Sequence, residues 1–128
     1  MSRARLAVAS AALFVGSAVV AGFAVPAAPA LSPAPSRLEV VAHEYSYTLS
    51  RLHLQAGEAI VELDNFGEDS HDLRLERIGA THVAGLGKVA PGSLADLTLR
   101  LAPGRYLLWC SVADHRSLGM QATLVVTR

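Results

Sequence analysis

The chain of 128 residues holds a single cysteine, Cys110. No disulfide can close within it, which excludes a fold stapled by internal cross-links. Charge of one sign is also lacking, with 11 Lys plus Arg against 11 Asp plus Glu. That balance gives no footing for nucleic-acid binding. No stretch past residue 30 has helical periodicity over a useful length, and no segment repeats. What remains is a chain long enough for one domain, and a thiol that needs an explanation.

The N-terminus comes first. Two arginines, Arg3 and Arg5, precede 20 residues without charge, Leu6 to Val25. A segment rich in Pro and Ala follows, with Ala28 and Ala30 at the A-x-A spacing of a cleavage site. Residues 1–30 therefore read as a secretory signal or as an uncleaved N-terminal membrane anchor, since 20 apolar residues are about enough to span a bilayer. In both cases the domain lies outside the cytoplasm. Without Arg3 and Arg5 the rest of the chain keeps all 11 acids and is slightly acidic. Residues 31–36 read as a Pro/Ala linker, extended and solvated. Residues 37–128 form the domain. In an oxidising compartment a lone cysteine is buried filler, an intermolecular cross-link, or a metal ligand.

Short alternating runs fill the domain. "RLEVVAH", "EYSYTLS", "LHLQAG", "EAIVELDNFG", "HDLRLER", "SLADLTLRL", "RYLLWCS" and "MQATLVV" each place apolar residues on one face and end near a turn signal. "IGATHVAGLGKVAPG" is crowded with Gly and Pro and reads mostly as loop. Seven to eight short strands at this spacing predict an all-β, Greek-key antiparallel β-sandwich.

Cys110 ends one run, His115 and Met120 follow in the next 11-residue stretch, and His71 opens a strand 39 residues before the cysteine. In a sandwich, the start of one strand and the loop after another can meet at one pole. Taken singly, a buried cysteine is most often a small hydrophobe, His71 a strand-edge histidine and Met120 a core residue. Together, two imidazoles, a thiolate and a thioether are the ligand set of a mononuclear type 1 (blue) copper site. The sulfurs favour Cu(I) and the imidazoles serve both Cu(I) and Cu(II), so the set suits one-electron cycling. His53 alternates with Leu52 and Leu54 and reads as solvent-facing, His43 and His82 lack soft partners, and no His-x-His pair exists to build an oxidase cluster.

On these residues the chain resembles the cupredoxins, small exported copper proteins related to plastocyanin, azurin and sulfocyanin. "AGEAIVELDNFGEDSHDLRL" is similar to the family's strand ending in Asn, loop and first ligand histidine. "VAPGSLADLTLRLAPGRYLLWC" is similar to the family's later strands, and "CSVADHRSLGM" to its ligand loop. The resemblance implies copper at one pole, with His71, Cys110 and His115 as equatorial ligands and Met120 axial. It implies single-electron carriage between redox partner proteins that dock transiently near His115, on a patch including Val112, Ala113 and Leu118. It also implies a monomer without enzymatic activity.

Two departures stand out. The Cys-x4-His spacing is azurin-like and the His-x4-Met spacing plastocyanin-like. Where relatives often have Pro-Gly before the second histidine and Asn after the first, this chain has Ala113-Asp114 and Asp72. Asp72 would accept a hydrogen bond from Ser111 to tie the two ligand loops together. The rival reading is an extracytoplasmic copper-handling protein, a Cu(I) chaperone, store or resistance factor. It uses the same ligands, although the chain has only two methionines and no Met-rich tract.

Overall fold

A computed structural model of the chain describes Gly22 and residues 26–128. The apolar run expected to direct export lies, apart from Gly22, outside the described residues. A boundary falls between Leu31 and Ser32, and the unit from Ser32 to Arg128 is described by itself.

Nine strands are found among the described residues: β1 (Ser36–His43), β2 (Ser46–Leu49), β3 (His53–Gln55), β4 (Gly57–Asn65), β5 (His71–Arg77), β6 (Val83–Val89), β7 (Leu94–Leu101), β8 (Gly104–Trp109) and β9 (Gln121–Thr127). They form a four-stranded sheet in the order β2-β1-β4-β7 and a five-stranded sheet in the order β3-β9-β8-β5-β6. The chain crosses from β4 to the second sheet for β5 and β6, returns for β7, and crosses again for β8 and β9. That is the expected all-β sandwich with Greek-key winding.

The alternation seen in the sequence decides which face is buried. Leu38, Val40 and Ala42 of β1, with Ala59, Val61 and Leu63 of β4, point inward from the first sheet. Leu73 and Leu75 of β5, Leu108 of β8, and Leu124 and Val126 of β9 meet them from the second. Each fully buried leucine or valine contributes about 1.5–3 kcal/mol relative to an exposed one. Tyr106 completes the layer and pins the β7–β8 turn, its hydroxyl donating to the Ala102 carbonyl at 2.9 Å and accepting from the Ala102 amide at 3.0 Å.

Two details differ from the sequence reading. Part of the segment read as loop, Val83–Val89, forms β6, an edge strand beside β5. Glycines at 85 and 87 interrupt its alternation, but backbone pairing needs no side chain. A Cβ on Gly85 would in fact collide with the Leu73 carbonyl. Nor is pairing wholly antiparallel, since β1 runs parallel to β4 and β3 parallel to β9. An alternating strand carries the same pattern whichever way its neighbour runs, so direction had no signature.

Register is what positions the site. β5 and β8 are antiparallel neighbours with Arg74 opposite Trp109. Continuing that register by two residues sets Asp72 opposite Ser111, at the end of the sheet where His71 begins β5 and Cys110 follows β8.

Candidate metal centre

His71, Cys110 and His115 come together at this pole, one donor atom from each lying within 4.8 Å of the others. The Nδ1 atoms of the two histidines face each other at 3.2 Å, and Cys110 Sγ lies 3.6 Å from His115 Nδ1. His71 and Cys110 are fully buried, and His115 is 5% exposed. Burial pushes the Cys110 thiol upward from its ordinary value. Thiolate formation at this depth therefore calls for a cation beside the sulfur.

Met120 is fully buried in the same loop. Its amide donates to the His115 carbonyl at 3.1 Å, and its carbonyl accepts from the Cys110 amide at 3.1 Å. Between these clamps the loop folds on itself. His115 N donates to the Val112 carbonyl, Leu118 N to that of Asp114, and Gly119 N to that of Arg116. Gly119 sits at φ 107°, a conformation open to glycine, and Ala113 at φ 44° is the one non-glycine residue in the left-handed region among the described residues. Outside the loop the guanidinium of Arg116 lies 4.5 Å over the Trp109 ring, linking the residue after His115 to the residue before Cys110.

The tie between ligand loops is present. Asp72, 3% exposed, accepts the Ser111 amide at 2.6 Å with Oδ1 and the Ser111 hydroxyl with Oδ2. Arg74 Nη2 lies 3.2 Å from the same Oδ2. The Tyr47 hydroxyl donates to the Asp72 carbonyl from below. Burial foremost raises the Tyr47 phenol well above its usual range, which keeps it a donor.

The sequence reading noted Asn65 as a strand end without giving it a role, and it missed Tyr45 and Glu44. Asn65, fully buried, donates from Nδ2 to the carbonyls of Asp69 (2.8 Å) and Val89 (2.9 Å) and accepts the Gly67 amide at 2.9 Å. It thereby holds the loop that delivers His71. Tyr45 lays its ring against His115, centroids 4.6 Å apart, and donates to Asp69 Oδ2 at 3.3 Å. Glu44 reaches from the β1–β2 turn to His71 Nε2 at 3.1 Å. The Asp69 amide first, then His71 and the Glu68 amide, hold its carboxyl down to about 2 against the opposing effect of burial. A terminal Asn on a strand is a visible signal for the first of these. The other two sit in a hairpin turn with nothing local to mark them. His43, His53 and His82 stand exposed, apart from the cluster.

The chemistry of this donor set fits one copper ion. Imidazole nitrogens 3.2 Å apart are close enough to share a proton, and a cation can take that proton's place. A neighbouring buried thiol selects a soft cation.

Comparison with solved structures places the fold. Auracyanin from the photosynthetic bacterium Roseiflexus castenholzii, in dithionite-reduced form, matches with a TM-score of 0.63 at 17% identity, covering 75% of this chain and 100% of its own. Rusticyanin from Thiobacillus ferrooxidans matches at 0.58 with 16% identity, over 73% of this chain and 79% of its own. A multicopper oxidase matches at 0.57 with 12% identity over 75% of this chain, which spans 45% of the oxidase chain. No protein-family model matches the sequence, and no curated protein does. The described domain is an all-β sandwich of the cupredoxin kind. The domain shares the fold of these proteins, and a buried group of His71, Cys110 and His115 lies where two of its loops meet.

Proposed function

We propose that the chain is an exported type 1 copper protein that carries single electrons between redox partners. The observation that carries this reading is the convergence of His71, Cys110 and His115, all buried, within 4.8 Å at one pole of a cupredoxin sandwich. His71 and His115 would offer Nδ1, Cys110 its thiolate and Met120 its thioether. Bound copper would supply a one-electron couple that no side chain here provides.

The chain's own residues do the rest. Packing and the clamped loop hold the donors in one arrangement, so a change of charge at the site asks for little movement. His115 is the ligand with measurable exposure, and its outer edge faces Asp69 and Tyr45. Electrons would pass at that edge, from a donor protein and on to an acceptor. Leu118, 52% exposed, with Ala113 and the half-buried Val112, offers a small apolar patch beside it. Interfaces that small suit partners that must separate quickly. Asp114 and Asp69 stand exposed near the patch and favour a partner with a basic face. Replacing Asp114 with Asn should lower the association rate about twofold at low salt and leave it unchanged at high salt. Equal salt dependence in both proteins would remove Asp114 from the docking face.

All four donors come from the protein, which leaves substrate no position and favours a carrier over an enzyme. The fold is shared with a multicopper oxidase, so the weight rests on the ligands and not on the fold. The deciding experiment adds Cu(II) to the purified protein and records the visible spectrum through a cycle of ascorbate reduction and reoxidation. An intense thiolate-to-copper band that bleaches and returns is the expected result. Tight Cu(I) binding without a Cu(II) band would make the protein a copper-handling factor, and binding of neither ion would remove the ligand assignment.

A further inference from the structure

Glu44 lies 27 residues from His71 in sequence, yet its carboxylate is built into the site. One oxygen, Oε1, accepts the Glu68 amide at 2.7 Å and the Asp69 amide at 2.8 Å, and lies 3.1 Å from His71 Nε2. Two backbone donors thus fix the oxygen before the imidazole meets it. The room it occupies is kept by Gly67, where a Cβ would overlap both Glu44 Oε1 and His71 Nε2. The side chain is 29% exposed, while that of His71 is wholly buried.

An ionised carboxylate only accepts hydrogen bonds. The proton of a neutral His71 must therefore sit on Nε2, which leaves Nδ1 bare. Nδ1 is the atom that faces His115 Nδ1 and the cysteine. The other charged groups around the pair are Asp69, whose Oδ2 lies 4.0 Å from His115 Nε2, and Asp72, tied to Ser111 and Arg74. Of these charged groups, Glu44 is the one within hydrogen-bond reach of His71 Nε2, on the side away from the donors.

We infer that Glu44 is a positioning residue for the copper site: it fixes His71 as the tautomer with Nδ1 free, and sets one negative charge a single imidazole away from the ion, favouring Cu(II) over Cu(I). The copper half of this rests on the function proposed above. The tautomer half does not. A carboxylate on the far nitrogen of a metal-binding histidine raises its basicity, and removing such a partner typically costs 10–100-fold in metal affinity.

The test uses the full chain with Glu44→Gln and Glu44→Ala. Gln keeps an oxygen for the Glu68 and Asp69 amides but drops the charge, so it guards against simple misfolding. In the copper-free, 15N-labelled protein, long-range imidazole spectra should show His71 protonated at Nε2 in the wild type and a mixture of tautomers in Glu44→Ala. With copper added, Glu44→Gln should keep its visible band while its preference for Cu(II) over Cu(I) falls about tenfold, a rise of about 59 mV for one electron. His71 protonated at Nδ1 in the wild type, or an unchanged tautomer in Glu44→Ala, would overturn the positioning role. An unmoved potential in a well-folded Glu44→Gln would overturn the electrostatic one. The imidazole spectra are read without metal, so a wild type that takes up no copper overturns the charge role together with the proposed function and leaves the tautomer result standing.

Discussion

Two glutamates on neighbouring parts of the same sheet are pulled in opposite directions. Glu44, in the turn after β1, accepts two backbone amides and meets an imidazole, and its carboxyl is drawn down to about 2. Glu62, mid-way along β4, has Glu39 opposite it on β1 and Asp96 opposite it on β7. Desolvation first, and then the Asp96 charge, raise its carboxyl above the usual value. The same side chain is thus a fixed anion at the pole and a strained one on the sheet face. Sequence position decides neither. What differs is whether the backbone turns its N–H groups toward the oxygen, as a loop can, or spends them on the ladder, as a strand must. The pole that carries His71 and Cys110 is built from loops with donors to spare, and the sheet face is not.

The sharpest way to separate the two regions is to remove the thiol. Cys110→Ser should abolish the intense visible band and tight Cu(II) binding while far-UV circular dichroism stays that of a sandwich. A variant that kept the band would place the ligand elsewhere. Next in size, Asn65→Ala strips partners from two carbonyls and one amide in the loop before His71. Unpartnered buried groups cost about 1–3 kcal/mol each, and part of the loop can turn to water. A loss of about 3 kcal/mol in urea unfolding is expected, together with weaker copper binding. Gly67→Ala is smaller still. Its methyl should push Glu44 away from His71 and weaken copper about tenfold, the lower end for losing such a partner. Stability measured without metal should barely move.

The smallest effect lies on the sheet. Glu62→Gln should stabilise the fold by no more than about 0.5 kcal/mol at neutral pH. Its sign is set by linkage. Above the raised folded-state value, wild-type Glu62 is ionised in both states, and only the folded state suffers from the neighbouring acids. As pH falls through that value the folded protein takes up a proton before the unfolded chain does, and the penalty fades. It is gone below the unfolded value near 4.5. The variant's advantage in thermal unfolding should therefore vanish on acidification, and an advantage that grew instead would mean Glu62 is not repelled.

Much of this was legible in the residues. Alternation in "EAIVELDNFG" and "HDLRLER" gave β4 and β5 within a residue or two, because one face of each is solvated and imposes a period of two. The His71, Cys110 and His115 cluster was visible because a lone thiol five residues before a histidine, with a second histidine at a strand start, matches a known ligand set. The Asp72–Ser111 tie was foreseeable from the resemblance, in which the residue after the first histidine ties the two loops together. β6 was hidden by its glycines, and the parallel neighbours of β1 and β3 by the indifference of a strand's pattern to its partner's direction. Glu44 was illegible for a different reason. An acid in a hairpin turn looks solvated unless one knows which loop folds over it, and that loop is 24 residues further on.

The hydrogen bonds that join Cys110 to Met120 and Met120 to His115 have a consequence for descent. They close the loop at its base, so its interior can gain or lose residues without disturbing β8 or β9. Cys110, His115 and Met120 then travel as one inherited cassette, while the strands beneath drift under a separate selection for packing. A lineage built this way can reshape that pole by editing a dozen codons and leave the rest of the gene alone.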